Sequence, residues 1–226
     1  MLKDTLRSIA KPVAKKVLNT TLQPSSATKW FYSGVFYADT VARELYEWSR
    51  RSLVATPVFL ARCEEYGSQI VVDRIPYVTG NARIRLGNNI RFSGKFNILS
   101  PNNDDPGLLE IGEGVFIGHG CLITVAKHVK IGKFVSIGSG TQISDTEGHS
   151  HYNPDRPIWE VPAGEDDVAP VILEDGAQIS KDVTILKGVT IGARSVVGAR
   201  AVVRSNIPAD SVVMGNPARV VKRMGS

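Results

Sequence analysis

The chain predicts a mainly β fold: a parallel β-helix of six-residue repeats, with an α-helical segment ahead of it and one long loop leaving it. Three observations predict this. Aliphatic side chains recur at every sixth position in Leu173, Ile179, Ile185, Ile191, Val197 and Val203. Four residues after the first five stand Ala177, Val183, Val189, Ser195 and Ala201, all small or β-branched. Glycine often follows the aliphatic residue, as in IGEGVF, IGHGCL, IGKFVS and IGSGTQ, and tight corners need its positive φ. A period of six fits neither a 3.6-residue helix nor a simple alternating strand. It fits a short strand plus a corner, each side burying one aliphatic residue against the next coil.

The elements follow in chain order. Leu2, Leu6, Ile9, Val13 and Val17 stand three or four apart, the spacing of an amphipathic helix, with Lys3, Arg7, Lys11 and Lys15 as a basic stripe and a kink at Pro12. Such a helix suits an anionic membrane surface; it also suits the cover that an exposed solenoid end or a neighbouring subunit requires, and the cover is favoured. LQPSSATKWFYSG reads as a turn-rich connection. A second helix starts with Asp39 as N-cap, carries Val41, Leu45 and Trp48 on one face, is interrupted at Pro57 and has ended by Gly67. Residues 1–67 are thus the helical segment and 68–226 the β-helix domain. In that domain Leu86, Phe92, Ile98 and then Ile111, Ile117, Ile123 hold the period, which resumes after a two-residue slip at Ile131, Ile137 and Ile143. The next phase positions, His149, Asp155, Val161 and Asp167, mostly do not suit a solenoid core, so residues 144–172 leave the coil as a loop.

Composition sets bounds. At 226 residues, 42% hydrophobic and 22% charged, the chain is long enough to bury a core without staples. A net charge of +5 suits an anionic partner without naming one. Cys63 and Cys121 form no disulfide framework, and neither a signal-peptide core nor an 18-residue apolar run is present, so a cytoplasmic protein is expected.

The C-terminal stretch ILKGVTIGARSVVGARAVVRSNIPADSVVMGNPARVVKR, residues 185–223, together with the hexapeptide period, resembles the hexapeptide-repeat acyltransferases. Within them it is similar to the branch of maltose, galactoside, xenobiotic and polysaccharide O-acetyltransferases. The resemblance covers roughly residues 80–223. It implies a left-handed parallel β-helix, acetyl-CoA as donor, direct transfer in a ternary complex and a homotrimer completing each site from two chains. By motif position it implies coenzyme A contacts at Ala199, Arg204, Gly215, Asn216, Pro217, Arg219 and Lys222. Arg204-Ser205 departs from the Thr-Lys common there. Lys187, Arg194, Arg200 and Arg223 add to a basic C-terminal region facing the nucleotide phosphates.

The loop supplies the chemistry. Transfer from a thioester needs a group that takes a proton from the attacking hydroxyl or amine near neutral pH, and imidazole suits this. Gly148-His149-Ser150 stands where the resemblance places a GHP-like segment with the catalytic histidine, so His149 is the expected general base. Asp145, four residues earlier, would orient the imidazole or bind an acceptor hydroxyl, as the resemblance implies. His151 is the rival base. Arg156 and Trp159 would contact an acceptor sugar or its phosphate, or anchor the loop by packing. Cys121 reads as structural and His119 as a surface residue. No metal is expected, because no two histidines have the H-x-x-x-x-H spacing of γ-type carbonic anhydrases. The expected acceptor is a sugar hydroxyl or amine in polysaccharide or nucleotide-sugar metabolism, with no nucleic-acid partner. A non-sugar acceptor and a non-catalytic solenoid scaffold remain the alternatives.

Overall fold

The computed structural model describes residues 23–101, 105–149, 155–157, 160–161 and 163–225. The expected helix over 2–18 lies outside them. Two compact units divide between Tyr46 and Glu47.

Helix α1 runs Lys29–Arg50, beginning ten residues before the expected N-cap. The reason is local: Lys29 N–H donates to the Ser25 carbonyl at 2.9 Å and closes the first turn, and nothing in 29–38 breaks a helix except the tolerated Gly34. Asp39 is therefore mid-helix, paired with Arg43 one turn on at 2.7 Å. A π-helical turn Arg51–Ala55 leads into α2, Thr56–Leu60, with Pro57 in the first turn where its missing N–H costs nothing.

Six coils of three strands follow: β1 (Glu65–Tyr66), β2 (Val71–Val72), β3 (Tyr77–Thr79); β4 (Arg83–Leu86), β5 (Arg91–Phe92), β6 (Asn97–Leu99); β7 (Leu108–Ile111), β8 (Phe116–Ile117), β9 (Leu122–Thr124); β10 (His128–Ile131), β11 (Ser136–Ile137), β12 (Gln142–Ser144); β13 (Val171–Leu173), β14 (Gln178–Ile179), β15 (Thr184–Ile185); β16 (Thr190–Ile191), β17 (Val196–Val197), β18 (Val202–Val203). A final strand β19 (Ser211–Met214) continues the second side, and β20 (Arg219–Arg223) closes it antiparallel. From β1 to β15 each strand pairs in parallel with the one three places on, so the coils make three flat sides. The expected phase residues stack in register: Leu86, Ile111, Ile131, Leu173 and Ile191 on the first side, Phe92, Ile117, Ile137, Ile179 and Val197 on the second, Ile98, Ile123, Ile143, Ile185 and Val203 on the third. All are buried. Ile207 and Val213 add a partial seventh coil that the sixfold count does not reach. At the N-terminal end Phe59 of α2 packs edge-on against Phe92 and Phe96, with ring centroids 5.4 and 5.5 Å away.

The corners are unequal. From first side to second, and from second to third, the step between stacked residues is always six, as in Leu86 to Phe92 to Ile98. Only the corner from third side to first varies. It lengthens from Val78 to Leu86, Ile98 to Ile111, Ile123 to Ile131 and above all Ile143 to Leu173, and it shortens from Val203 to Ile207.

Two outcomes follow. Ile137 is wholly buried mid-stack, so Ile137→Ala should cost about 2–5 kcal/mol, read as a lower denaturation midpoint. Glu64 accepts hydrogen bonds from Arg83 and Arg85 at 3.0–3.2 Å, which hold its pKa down from 4.5 to about 2. Its stabilisation is present above pH 4.5 and lost as pH falls towards about 2, so Glu64→Gln should lower stability above pH 4.5 and flatten the acid sensitivity within that window.

Candidate functional site

The variable corner carries the predicted chemistry. After β12 the chain leaves the coil as an arm and returns at β13. The base of the arm is a short antiparallel pairing: Ala169 N–H donates to the Asp145 carbonyl at 2.9 Å, Glu147 N–H to the Asp167 carbonyl at 3.1 Å, and Thr146 bridges Val168.

Asp145 anchors this base to the preceding coil. Its side chain is fully buried, one oxygen accepting the Ala126 N–H and the other the Lys127 and His128 N–H groups, each at 2.7 Å. The first two N–H groups belong to the corner just before β10 and the third to its first residue. Burial pushes the Asp145 carboxyl above the usual carboxylate range, and the three backbone donors pull the other way. The sequence expectation that Asp145 orients the imidazole or binds an acceptor hydroxyl is corrected here: both oxygens are already engaged and shielded from solvent.

Lys187 fastens the other side. Its ammonium donates to the Asp166 carbonyl at 2.6 Å and pairs with Glu147 at 3.1 Å, so it straps both strands of the arm's neck to the following coil. Gly188 N–H adds a bond to the Ala169 carbonyl at 3.0 Å. Lys187 thus departs from the phosphate-facing role its charge suggested, because its ammonium is turned to Asp166 and Glu147 at the arm's neck. Composition alone could not separate the two roles. The residue's place, two after the Ile185 that stacks on Ile143, was the available signal.

His149 sits beyond this neck and is exposed. Gly148 turns the chain with φ +88°, a conformation glycine adopts freely, and its N–H donates to Thr146 Oγ1 at 3.0 Å. His149 Nδ1 lies 3.2 Å from the Val161 carbonyl, across the arm. A carbonyl only accepts, so this bond puts the proton on Nδ1 and makes Nε2 the unprotonated nitrogen of the neutral imidazole. That is the tautomer a general base needs. Arg156 is exposed on the same arm. His151 and Trp159 lie outside the described residues.

The other predicted residues gather at the C-terminal end. Ala199 occupies the last corner from second to third side and Arg204 follows β18; both are exposed. The Gly215-Asn216-Pro217 turn reverses the chain between β19 and β20. It rests on β18, where Val202 N–H donates to the Gly215 carbonyl at 3.1 Å and Ala218 N–H to the Val202 carbonyl at 2.8 Å. Arg219 and Lys222 stand exposed on β20. Arg194 is committed to Asp210 by a two-pronged ion pair, one prong at 2.7 Å.

Remaining histidines have local partners. His128 Nε2 is 2.7 Å from Glu110, and His119 Nδ1 is 3.0 Å from Ser139 Oγ. Among the described residues no group of three His, Cys, Asp or Glu is arranged to hold a metal ion. A cavity of about 490 Å³ runs over the first side between Glu65, Arg85, Glu110 and Lys130, and none of the expected site residues lines it.

Residues 170–205 match the bacterial transferase hexapeptide (six repeats) family. Among solved structures, the N-acyltransferase AntD from Bacillus cereus, in complex with dTDP-4-amino-4,6-dideoxyglucose and coenzyme A, is similar with TM-score 0.61 and 19% identity over 76% of this chain and 89% of that one. A hexapeptide-repeat acetyltransferase of Vibrio cholerae O1 biovar eltor, complexed with acetyl coenzyme A, shows 29% identity over 66% of this chain and 72% of that one, with TM-score 0.47. A maltose O-acetyltransferase from Clostridium difficile 630 shows 26% identity over 67% and 71%, with TM-score 0.45. The chain carries the transferase hexapeptide repeat on a left-handed parallel β-helix.

Asp145→Asn tests the anchor. An amide offers one acceptor and turns a donor towards backbone N–H groups, so the variant should lose about 1–3 kcal/mol per unsatisfied donor, measured by chemical denaturation.

Proposed function

We propose that this chain is an acetyl-CoA-dependent acetyltransferase that acylates a sugar hydroxyl or amine, with His149 as general base. The observation that carries the proposal is the exposed imidazole whose Nδ1 is bound to the Val161 carbonyl. In the transfer, Nε2 removes the proton as the acceptor oxygen or nitrogen bonds to the thioester carbonyl carbon. The tetrahedral intermediate collapses by breaking the C–S bond, and the departing thiolate takes the proton back from the imidazolium. No covalent acyl-enzyme is needed, and the exposed arm leaves room for donor and acceptor together.

The donor belongs to the C-terminal end. Arg204, Arg219 and Lys222 supply charge for the nucleotide phosphates, while Ala199 and the Gly215-Asn216-Pro217 turn offer backbone to the pantetheine. Coenzyme A in the AntD complexes, on the same fold, supports this reading. An amino-sugar nucleotide in the same complex supports a sugar acceptor, in polysaccharide or nucleotide-sugar metabolism in the cytoplasm. A homotrimer would bring a neighbour's corner to the arm and complete the site.

The test is thiol release from acetyl-CoA with a panel of sugars and nucleotide-linked amino sugars. Acceptor-dependent release should appear with wild type and fall at least about 100-fold in His149→Ala. Unchanged release in the variant would remove His149 as base and transfer the role to His151. Neither release nor coenzyme A binding would leave a scaffold.

A further inference from the structure

Helix α1 has no buried residue along its length. At 100° per residue Trp30, Tyr37, Val41 and Trp48 fall within a narrow band, and Leu45 and Phe31 widen it to one side. All six are exposed, Trp30 to 75%, Tyr37 to 67% and Leu45 to 62%. The charged residues Asp39, Arg43, Glu47 and Arg50 lie across the helix from this band, with Tyr32 and Phe36 among them, while Glu44 stands at the band's edge beside Tyr37. An apolar face of this size left in water marks a docking surface.

We infer that the apolar face of α1 lies in the interface of an anionic lipid bilayer, with the helix parallel to the membrane plane. Three features choose this occupant. Continued through the exposed Val35 and Tyr46, the charge-free arc spans about half the circumference, which matches a flat boundary between oil and water, whereas a partner helix needs only a narrow seam. The face is built from Trp, Tyr and Phe as well as aliphatics, and indole and phenol rings suit the headgroup depth. The charges on α1 itself balance, but Lys3, Arg7, Lys11, Lys15 and Lys16 precede it against the single acid Asp4, giving the segment complementarity to anionic headgroups. No helix among the described residues is long and apolar enough to cross a membrane, so the contact is with one face of the bilayer. Such a contact would hold the enzyme beside an acceptor carried on a lipid.

The experiment uses the full chain and does not depend on the acyltransfer reading. Sedimentation with vesicles of phosphatidylcholine containing one-third phosphatidylglycerol is compared with pure phosphatidylcholine, for wild type and for Trp30→Ser/Tyr37→Ser. Both positions are exposed, so circular dichroism of the double variant should match wild type. The expected result is binding to the anionic vesicles, at least 10-fold weaker in the variant, with the assembly mass by light scattering unchanged. Wild type that stays in the supernatant overturns the inference, as does a variant that binds equally well. A variant that loses assembly mass gives the face to a second copy of the chain and also overturns it.

Discussion

Parallel stacking of coils is the constraint on which the rest of the structure depends. Each strand takes its backbone hydrogen bonds from the coils before and after it, and each side contributes one inward aliphatic residue per coil. Neither requirement tolerates a shift of register, since a slip of one residue would turn a buried side chain outward and leave ladder groups without partners. Two of the three corners accordingly keep a step of six throughout, while extra or missing residues accumulate at the third.

The arm at that corner meets the opposite problem. A segment that leaves the coil loses the ladder on both sides, and its backbone must be satisfied some other way. Asp145 and Lys187 meet this need with side chains, Asp145 gathering three N–H groups of the coil before and Lys187 gripping both strands of the neck from the coil after. A buried carboxylate is expensive unless several donors compensate it, and here three backbone donors do. The exposed imidazole is thereby carried on a neck braced against the coils on both sides.

Much of this was legible in the sequence, and the illegible parts share a cause. The stacked aliphatics announce themselves because burial at a fixed period filters residue type at each position. Placing the arm needed only the failure of that filter at His149, Asp155 and Asp167. The start of α1 was misplaced because an N-cap residue such as Asp39 is also an ordinary helix residue when Arg43 pairs with it. Asp145 was singled out but given other partners, and Lys187 was counted only within a basic C-terminal group. Their partners are backbone groups, which have no letter in a sequence, and they come from coils separated by the length of the arm. Arg194 was miscounted for a similar reason, its charge being held by Asp210 in the coil beyond.

The unequal corners have a consequence for how such a molecule can change. Because the first-to-second and second-to-third steps never vary, an insertion at the remaining corner alters nothing in the stacking of any side. The prism behaves as a chassis with a single mounting rail, along which attachments of different length can be exchanged coil by coil. Loops can then be traded on that rail at no cost to the register of the framework that carries them.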